Sequence, residues 1–224
     1  MLEERMTELK REIVEYAGLV EAMIEKAVAG LLEKRRELLA DVIEKDEPKA
    51  NDLEIVIDDM CTALIAQYQP KAKDLRTVLM IMKMGNDFER IGDHAVNIAE
   101  SGIFLMERPP VKPYVDVPRM AEITVKMLRD GIAAFIKEDA ALAKSVCERD
   151  SLVDSLRVQI LRELITYMIS DATTIERCLH IIRVSGNLER IADLSTNMCE
   201  DVIFMVEGRV IKHHHEDNPS EKGR

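Results

Sequence analysis

Residues 87–100 read Asp-Phe-Glu-Arg-Ile-Gly-Asp-His-Ala-Val-Asn-Ile-Ala-Glu, and residues 187–200 repeat much of this stretch as Asn-Leu-Glu-Arg-Ile-Ala-Asp-Leu-Ser-Thr-Asn-Met-Cys-Glu. Ten of the twenty-eight residues in 81–108 are identical to the residue 100 places later, without a gap. Glu44-Lys45-Asp46 resembles Glu148-Arg149-Asp150 at an offset of 104. Self-similarity at a nearly fixed spacing indicates a direct internal duplication.

Apolar residues recur every three or four residues along almost the whole chain, and no segment alternates apolar and polar residues as a half-buried strand would. The pattern therefore predicts helices only, at about Thr7–Leu32, Glu37–Tyr68, Ala72–Met106, Val117–Ile136, Asp139–Ser170 and Thr173–Glu207. Short connections favour antiparallel packing of neighbouring helices. The expected fold is all-α, with two tandem three-helix bundles related by the duplication.

Prolines and glycine mark the predicted boundaries. Three prolines in 109–115 form a linker between a first repeat at 1–108 and a second at 116–210, and the polar tail 211–224 is expected to be disordered. We expect a bend or break at Asp46-Glu47-Pro48, because a proline inside a helix removes a hydrogen bond and clashes with the preceding turn. Gly208 is expected to end the last helix.

Composition narrows the classes of partner. The chain has 31 Lys and Arg against 42 Asp and Glu, no Trp, and 4% aromatic residues, which argues against a nucleic-acid partner. No apolar run approaches the ~20 residues of a membrane span, and the first residues do not resemble a signal peptide. The sequence predicts a cytoplasmic protein with an aliphatic core and no direct membrane insertion. Its four cysteines are dispersed and are expected to be buried free thiols.

The repeated stretch carries a stripe of polar side chains. At 100° per residue, one helix face contains Glu89, Asp93, Asn97 and Glu100, while the apolar residues point away from it. Like charges at positions i and i+4 cost a helix roughly 0.2–0.5 kcal/mol. Glu189 and Asp193 repeat that cost in the second half. The stripe is either the solvated side of an amphipathic helix or a site facing solvent or a partner.

A second acidic pair, Glu54 and Asp58, lies on the preceding helix of the first repeat. If these helices are neighbours, the carboxylates converge on oxygen ligands that suit iron, manganese or magnesium. The corresponding positions in the second repeat are about Arg157 and Leu161, so Asp150 and Asp154 would have to complete a second site. The candidate metal ligands are Glu54, Asp58, Glu89, Asp93, Asn97, Asp154, Glu189, Asp193 and Asn197.

Two alternatives to a metal-binding regulator stay open. The acidic stripes could pair with a basic partner in a metal-independent oligomerisation or adaptor module. A carboxylate-bridged metal oxidase would need Glu-x-x-His pairs, but Gly92 and Ala192 occupy the histidine positions. No Ser or Cys lies near a His in a recognisable nucleophilic arrangement. We therefore expect no enzymatic activity.

Four segments resemble signatures of the PhoU family of phosphate-transport regulators: 69–76, 87–100, 187–193 and 200–209. The resemblance extends over roughly 7–209. It implies two three-helix bundles, metal bound at the paired Glu-x-x-x-Asp motifs, a homodimer, and negative regulation of phosphate uptake and of the phosphate-starvation response. It also implies an adaptor between a sensor histidine kinase and the ATPase subunit of the phosphate ABC transporter. His94 becomes Leu194 in the second motif, so we expect a structural role for this histidine.

Overall fold

Helices make up nearly all of the computed structural model, which describes residues 1–208. The eight α-helices are α1 (Leu2–Glu33), α2 (Arg36–Asp41), α3 (Glu47–Tyr68), α4 (Lys73–Met106), α5 (Asp116–Lys137), α6 (Ala140–Cys147), α7 (Asp150–Ser170) and α8 (Ile175–Glu207). A π-helical turn, Val42–Asp46, joins α2 to α3, and a 3₁₀ turn, Ala172–Thr174, precedes α8. The predicted end of the second repeat at 210 and the polar tail 211–224 lie outside the described residues.

The helices form two bundles with the same order. In the first, α1, the α2–α3 pair and α4 pack together, and in the second α5, the α6–α7 pair and α8 do so. Helices α3 and α4 run antiparallel, since Cys61 Sγ lies 3.7 Å from the carbonyl oxygen of Val78 just across their connection. The predicted all-α fold of two duplicated three-helix bundles is confirmed. Within residues 1–208, no helix is both long enough and apolar enough to cross a membrane.

The second helix of each repeat differs from the prediction. In the first repeat the irregular turn lies at 42–46 and so ends at the first residue of the bend expected over 46–48, while Pro48 fits within the first turn of α3. In the second, the single helix predicted over 139–170 is wrong, because the chain turns at Glu148 and Arg149. Buried positions match at an offset of 104 before these turns and 103 after them. The π turn absorbs the extra residue of the first repeat.

Helix ends repeat as well. Lys34 and Glu138, 104 positions apart, end α1 and α5 in the left-handed conformation. Gly208 ends α8 with φ of 70°, as predicted. Asp139 caps α6 by accepting a hydrogen bond from the Leu142 N–H at 3.0 Å. The two repeats therefore share the turn that follows their first helix.

The buried core is aliphatic apart from Phe135 of α5 and one aromatic pair in the first bundle. Tyr16 of α1 and Phe88 of α4 are fully buried and meet edge to face with ring centroids 5.5 Å apart. The expected aliphatic core is thus wrong at the centre of the first bundle. In the second bundle the equivalent positions are Met120 and Leu188, which are also buried.

Helices α4 and α8 hold the two bundles together in antiparallel contact. Lys83 pairs with Asp201 at 2.9 Å near one end, and Arg183 pairs with Glu100 at 3.1 Å near the other. Because positions 83 and 183 are equivalent, the interface has an approximate two-fold symmetry. The proline-rich linker packs on the second bundle, where buried Lys112 donates a hydrogen bond to Glu163.

Candidate metal centre

Two acidic pairs of the first bundle lie on α3 and α4, which run side by side. Glu54 and Asp58 lie one turn apart on α3, and Glu89 and Asp93 lie one turn apart on α4. Burial raises the pKa of Glu54, and the negative charges of Asp58 and Asp93 raise it further. Burial and the charges of Asp93 and Glu54 raise the pKa of Glu89, against a smaller opposing effect of Arg90. The carboxylates of the two acidic pairs therefore lie close enough to affect one another's pKa, and their convergence on a metal ion stays a prediction.

Tyr16 brings a hydroxyl group from α1 to the same place, and sequence reasoning missed it. Its pKa is raised by burial first and then by the charges of Glu54, Glu89 and Asp93. The hydroxyl is buried and has no hydrogen-bond partner within residues 1–208. A tyrosine inside the apolar stripe of α1 was the available signal, because a buried phenol ordinarily finds a polar partner.

The donor set fits a hard cation, although its side chains are not gathered around one point. Asp58 Oδ1 is buried without a hydrogen-bond partner in the described chain, and no basic group lowers the pKa of Glu54. Carboxylate and phenol oxygens are the ligands that iron, manganese and magnesium accept. Nevertheless, no three Asp, Glu, His or Cys side chains among residues 1–208 converge closely enough to hold a metal ion as they lie. Binding would require rotamer changes in these side chains.

The acidic stripe of α4 divides into two parts. Asn97, which was predicted to be a ligand, accepts a hydrogen bond from Arg183 of α8, and the same guanidinium reaches Glu100 at 3.1 Å. This part of the stripe therefore contacts the other repeat. Glu89 and Asp93 remain on the side of α4 that borders α3.

The second bundle does not reproduce the cluster. Arg157 of α7 donates a hydrogen bond to Glu189 at 3.1 Å, and Arg190 pairs with Asp193 at 3.3 Å. Burial raises the pKa of Glu189, Arg157 opposes the rise, and Asp193 and Asp154 add to it. A guanidinium group thus supplies the positive charge that a cation would bring. These residues do not fit a metal ion.

This half contains two further candidate ligands. Asp154 and Asn197 are exposed. The counterpart of Asp58 is Leu161, which is apolar, and the counterpart of Tyr16 is Met120, which has no hydroxyl group. The second repeat therefore lacks three of the oxygen donors that the first one has.

The two histidines among residues 1–208 lie at the interface between the bundles. His94 Nδ1 is 2.8 Å from Asn187 Oδ1, and burial lowers the pKa of this histidine. His180 stacks on Phe104 with ring centroids 3.7 Å apart. Both contacts join α4 to α8, which agrees with the structural role expected for His94.

Comparison with known proteins gives the same duplicated pattern. Residues 13–102 and 117–202 each match the family model described as the PhoU domain. The chain is 42% identical over 210 residues to the phosphate-specific transport system accessory protein PhoU homolog of Aquifex aeolicus, covering 94% of this chain and 95% of the relative. A homolog from Thermotoga maritima is 31% identical, covering 97% and 92%.

Two solved structures are similar over nearly the whole chain. The crystal structure of PhoU from Pseudomonas aeruginosa has a TM-score of 0.90 and 36% identity, covering 93% of this chain and 100% of that one. The phosphate transport system regulatory protein PhoU from Streptococcus pneumoniae has a TM-score of 0.86 and 26% identity, covering 95% and 100%. The arrangement of both bundles is therefore shared with these proteins.

Proposed function

Because the chain belongs to the PhoU family, we propose that it is a cytoplasmic accessory protein of a phosphate-specific transport system, which acts by binding partners and not by catalysis. The observation that carries this proposal is that the similarity includes both repeats and nearly the full length of the relatives. An accessory role needs surfaces instead of an active site. His94 and His180 form contacts between α4 and α8. Neither histidine is therefore available as a ligand to a carboxylate-bridged oxidase centre on α3 and α4.

The proposed role is negative regulation of phosphate uptake and of the phosphate-starvation response. The protein would link the ATPase subunit of the phosphate ABC transporter to a sensor histidine kinase, as a homodimer. A partner surface is supported by α7, whose exposed face has an apolar stripe at helical spacing formed by Val158, Leu161, Ile165 and Ile169. Such a stripe is typical of a helix that packs against another protein.

Co-purification tests the adaptor role. Tagged chain isolated from phosphate-replete cells of its own host should retain the transporter ATPase subunit and the kinase. The double variant Ile165→Glu, Ile169→Glu should lose at least one of them, while Asp52→Asn, an exposed change on α3, should lose neither. Failure of the unaltered chain to retain either protein would contradict the adaptor proposal.

The first bundle is the proposed metal site, with Glu54, Asp58, Glu89 and Asp93 as ligands and Tyr16 beside them. A bound cation would supply the positive charge that these neighbouring carboxylates lack, and it would lower the repulsion that raises the pKa of Glu54 and Glu89. The second bundle already has Arg157 in this position. The proposal therefore places the cation in one repeat only.

Elemental analysis after loading with iron, manganese or magnesium tests this site. The variant Glu89→Gln, Asp93→Asn should lose metal, whereas the matched variant Glu189→Gln, Asp193→Asn should keep as much as the unaltered chain. Circular dichroism checks that all three proteins are folded. If no sample holds metal, the result supports the alternative of a metal-independent helical adaptor. The ion pair between Arg157 and Glu189 already favours this alternative for the second repeat.

A further inference from the structure

Two of the four cysteines lie side by side in the second bundle. Cys147, at the end of α6, and Cys199, on α8, are near enough for each thiol to shift the pKa of the other. Cys147 Sγ is also 3.9 Å from the carbonyl oxygen of Thr196, one turn before Cys199. By contrast, Cys61 and Cys178 are buried singly, each with a non-sulfur partner at 3.7 Å. Cys147 therefore lies against the turn of α8 that carries Cys199, whereas the other two cysteines have no second thiol beside them.

The two thiols differ in access. Cys199 is fully buried, and α5 covers it, because a Cβ atom added at Gly131 would lie 3.0 Å from its sulfur. Cys147 is only partly buried. Interaction with Cys199 lowers the pKa of the Cys147 thiol, while interaction with Cys147 and burial raise the pKa of Cys199. An accessible, more easily ionised cysteine beside a second thiol is the arrangement of redox-sensing sites.

The first bundle shows that packing does not require thiols here. At the offsets of the duplication, Cys147 corresponds to Ile43 (147 minus 104) and Cys199 to Ala99 (199 minus 100). Ile43 is partly buried and Ala99 fully buried, so two apolar side chains fill the equivalent space. The second repeat therefore has a chemical group that the first repeat folds without.

We propose that Cys147 and Cys199 form a redox-sensitive dithiol that a hydroperoxide oxidises to an intramolecular disulfide between α6 and α8. The Cys147 thiolate attacks one peroxide oxygen, the O–O bond breaks, and hydroxide leaves, which gives a sulfenic acid on Cys147. The Cys199 thiol then attacks that sulfur, and the hydroxyl group leaves with the thiol proton as water. In sum, two thiols lose two electrons and two protons, and hydrogen peroxide becomes two waters. A dithiol reductant returns the disulfide to two thiols and is itself oxidised to a disulfide.

The disulfide would join the α6–α7 junction to α8. This junction is the turn at Glu148 and Arg149, and Arg149 is tied to α5 through Asp130 at 2.7 Å. Oxidation should therefore stabilise the second bundle, since a crosslink across helices restricts the unfolded chain. It should raise the thermal midpoint of the full chain, and a reductant should return the midpoint to its starting value.

Treatment of the reduced full chain with hydrogen peroxide tests the proposal. We expect a loss of about two mass units, for two hydrogens, and a non-reduced peptide that joins 147 to 199, with Cys61 and Cys178 still open to alkylation. Cys199→Ala, which copies Ala99, should stop at a sulfenic acid on Cys147 that a cyclic 1,3-dione traps. Cys147→Ser should form neither product.

Three outcomes would overturn the inference. One is that all four cysteines of the oxidised chain remain free thiols. Another is that the sulfenic acid on Cys147 persists in the unaltered chain although Cys199 is present. The third is that the disulfide joins two chains, which a non-reducing gel would show. Circular dichroism of both variants separates these results from loss of folding.

Discussion

At the scale of single residues, the two bundles differ most where the first one has polar groups. Tyr16, Glu54 and Asp58 have Met120, Arg157 and Leu161 as their counterparts, whereas Glu89 and Asp93 persist as Glu189 and Asp193. Retention of the α4 pair therefore does not preserve a site by itself. Whether this acidic pair belongs to a site depends on the residues that the first two helices of the repeat place beside it.

Asp87 provides a test at this scale, because it is partly buried near Asp201 of α8, with its side chain 17% exposed. Burial raises the pKa of Asp87 from 3.8 to about 6, with Asp201 adding to the rise and Arg90 and Lys83 opposing it. The equivalent residue in the second repeat is the neutral Asn187. Asp87→Asn should therefore raise the free energy of unfolding at pH 7 by ~1–3 kcal/mol, at about 1.4 kcal/mol per pKa unit.

The effect of Asp87 on stability changes with pH through proton linkage. The folded pKa lies above the unfolded one, so on raising the pH the unfolded state ionises first and Asp87 lowers stability between about pH 4 and pH 6. The gain from Asp87→Asn should be complete above that window and vanish below it in urea titrations. Asp52→Asn serves as the exposed control. An equal gain at pH 3.5 and pH 7 would refute this assignment of the charge.

At the scale of elements, the contact of α2 with α1 and α4 depends on two glycines. Leu39 is fully buried, and its side chain lies against Gly30 of α1 and Gly102 of α4. A Cβ atom at Gly30 would be 2.5 Å from the nearest Leu39 carbon. Small residues at these positions let the short helix approach closely.

Gly30→Ala should lower the free energy of unfolding by about 1–3 kcal/mol, because Leu39 has to move within a packed core. The matched control is Gly18→Ala on the same helix, where nothing lies within 4 Å of the added atom. That change should instead raise stability by up to about 1 kcal/mol, through helix propensity. Chemical denaturation of both variants decides this, and equal effects would contradict the close packing of Leu39.

Helices were predictable from sequence because their apolar period is long and regular, and boundaries such as Gly208 have chemical markers. The π turn at 42–46 was not predictable, since one extra residue in a helix leaves the apolar period almost unchanged. Likewise, the turn at Glu148 and Arg149 contains no Gly or Pro to announce it. A comparison of the two repeats gives the one sign of these turns, because the offset between equivalent residues changes there from 104 to 103.

The candidate site was predictable in part for a similar reason. Helical spacing alone places Glu54 with Asp58 and Glu89 with Asp93 on helix faces. It does not tell that Arg183 reaches Asn97 or that Arg157 reaches Glu189, because these contacts depend on how α4, α7 and α8 cross. Tertiary partners therefore decide which residues of an acidic stripe remain available.

At the scale of the whole molecule, the long contact between α4 and α8 joins the two repeats into one folded unit. Buried Ser101, Ser185 and Ser195 lie on these helices among apolar residues, and ion pairs close both ends of the contact. We expect a single cooperative unfolding transition, with the same midpoint by circular dichroism and by calorimetry. Two separate transitions would show that the bundles fold independently and that the interface adds little.

The most direct test of the proposed accessory role is the rate of phosphate import in phosphate-replete cells of the host. Import is measured with the gene deleted, and with the deletion complemented by the unaltered chain. A negative regulator predicts several-fold faster import in the deletion strain and a return to the original rate on complementation. An import rate that is the same in all three strains would contradict a regulatory role in phosphate transport.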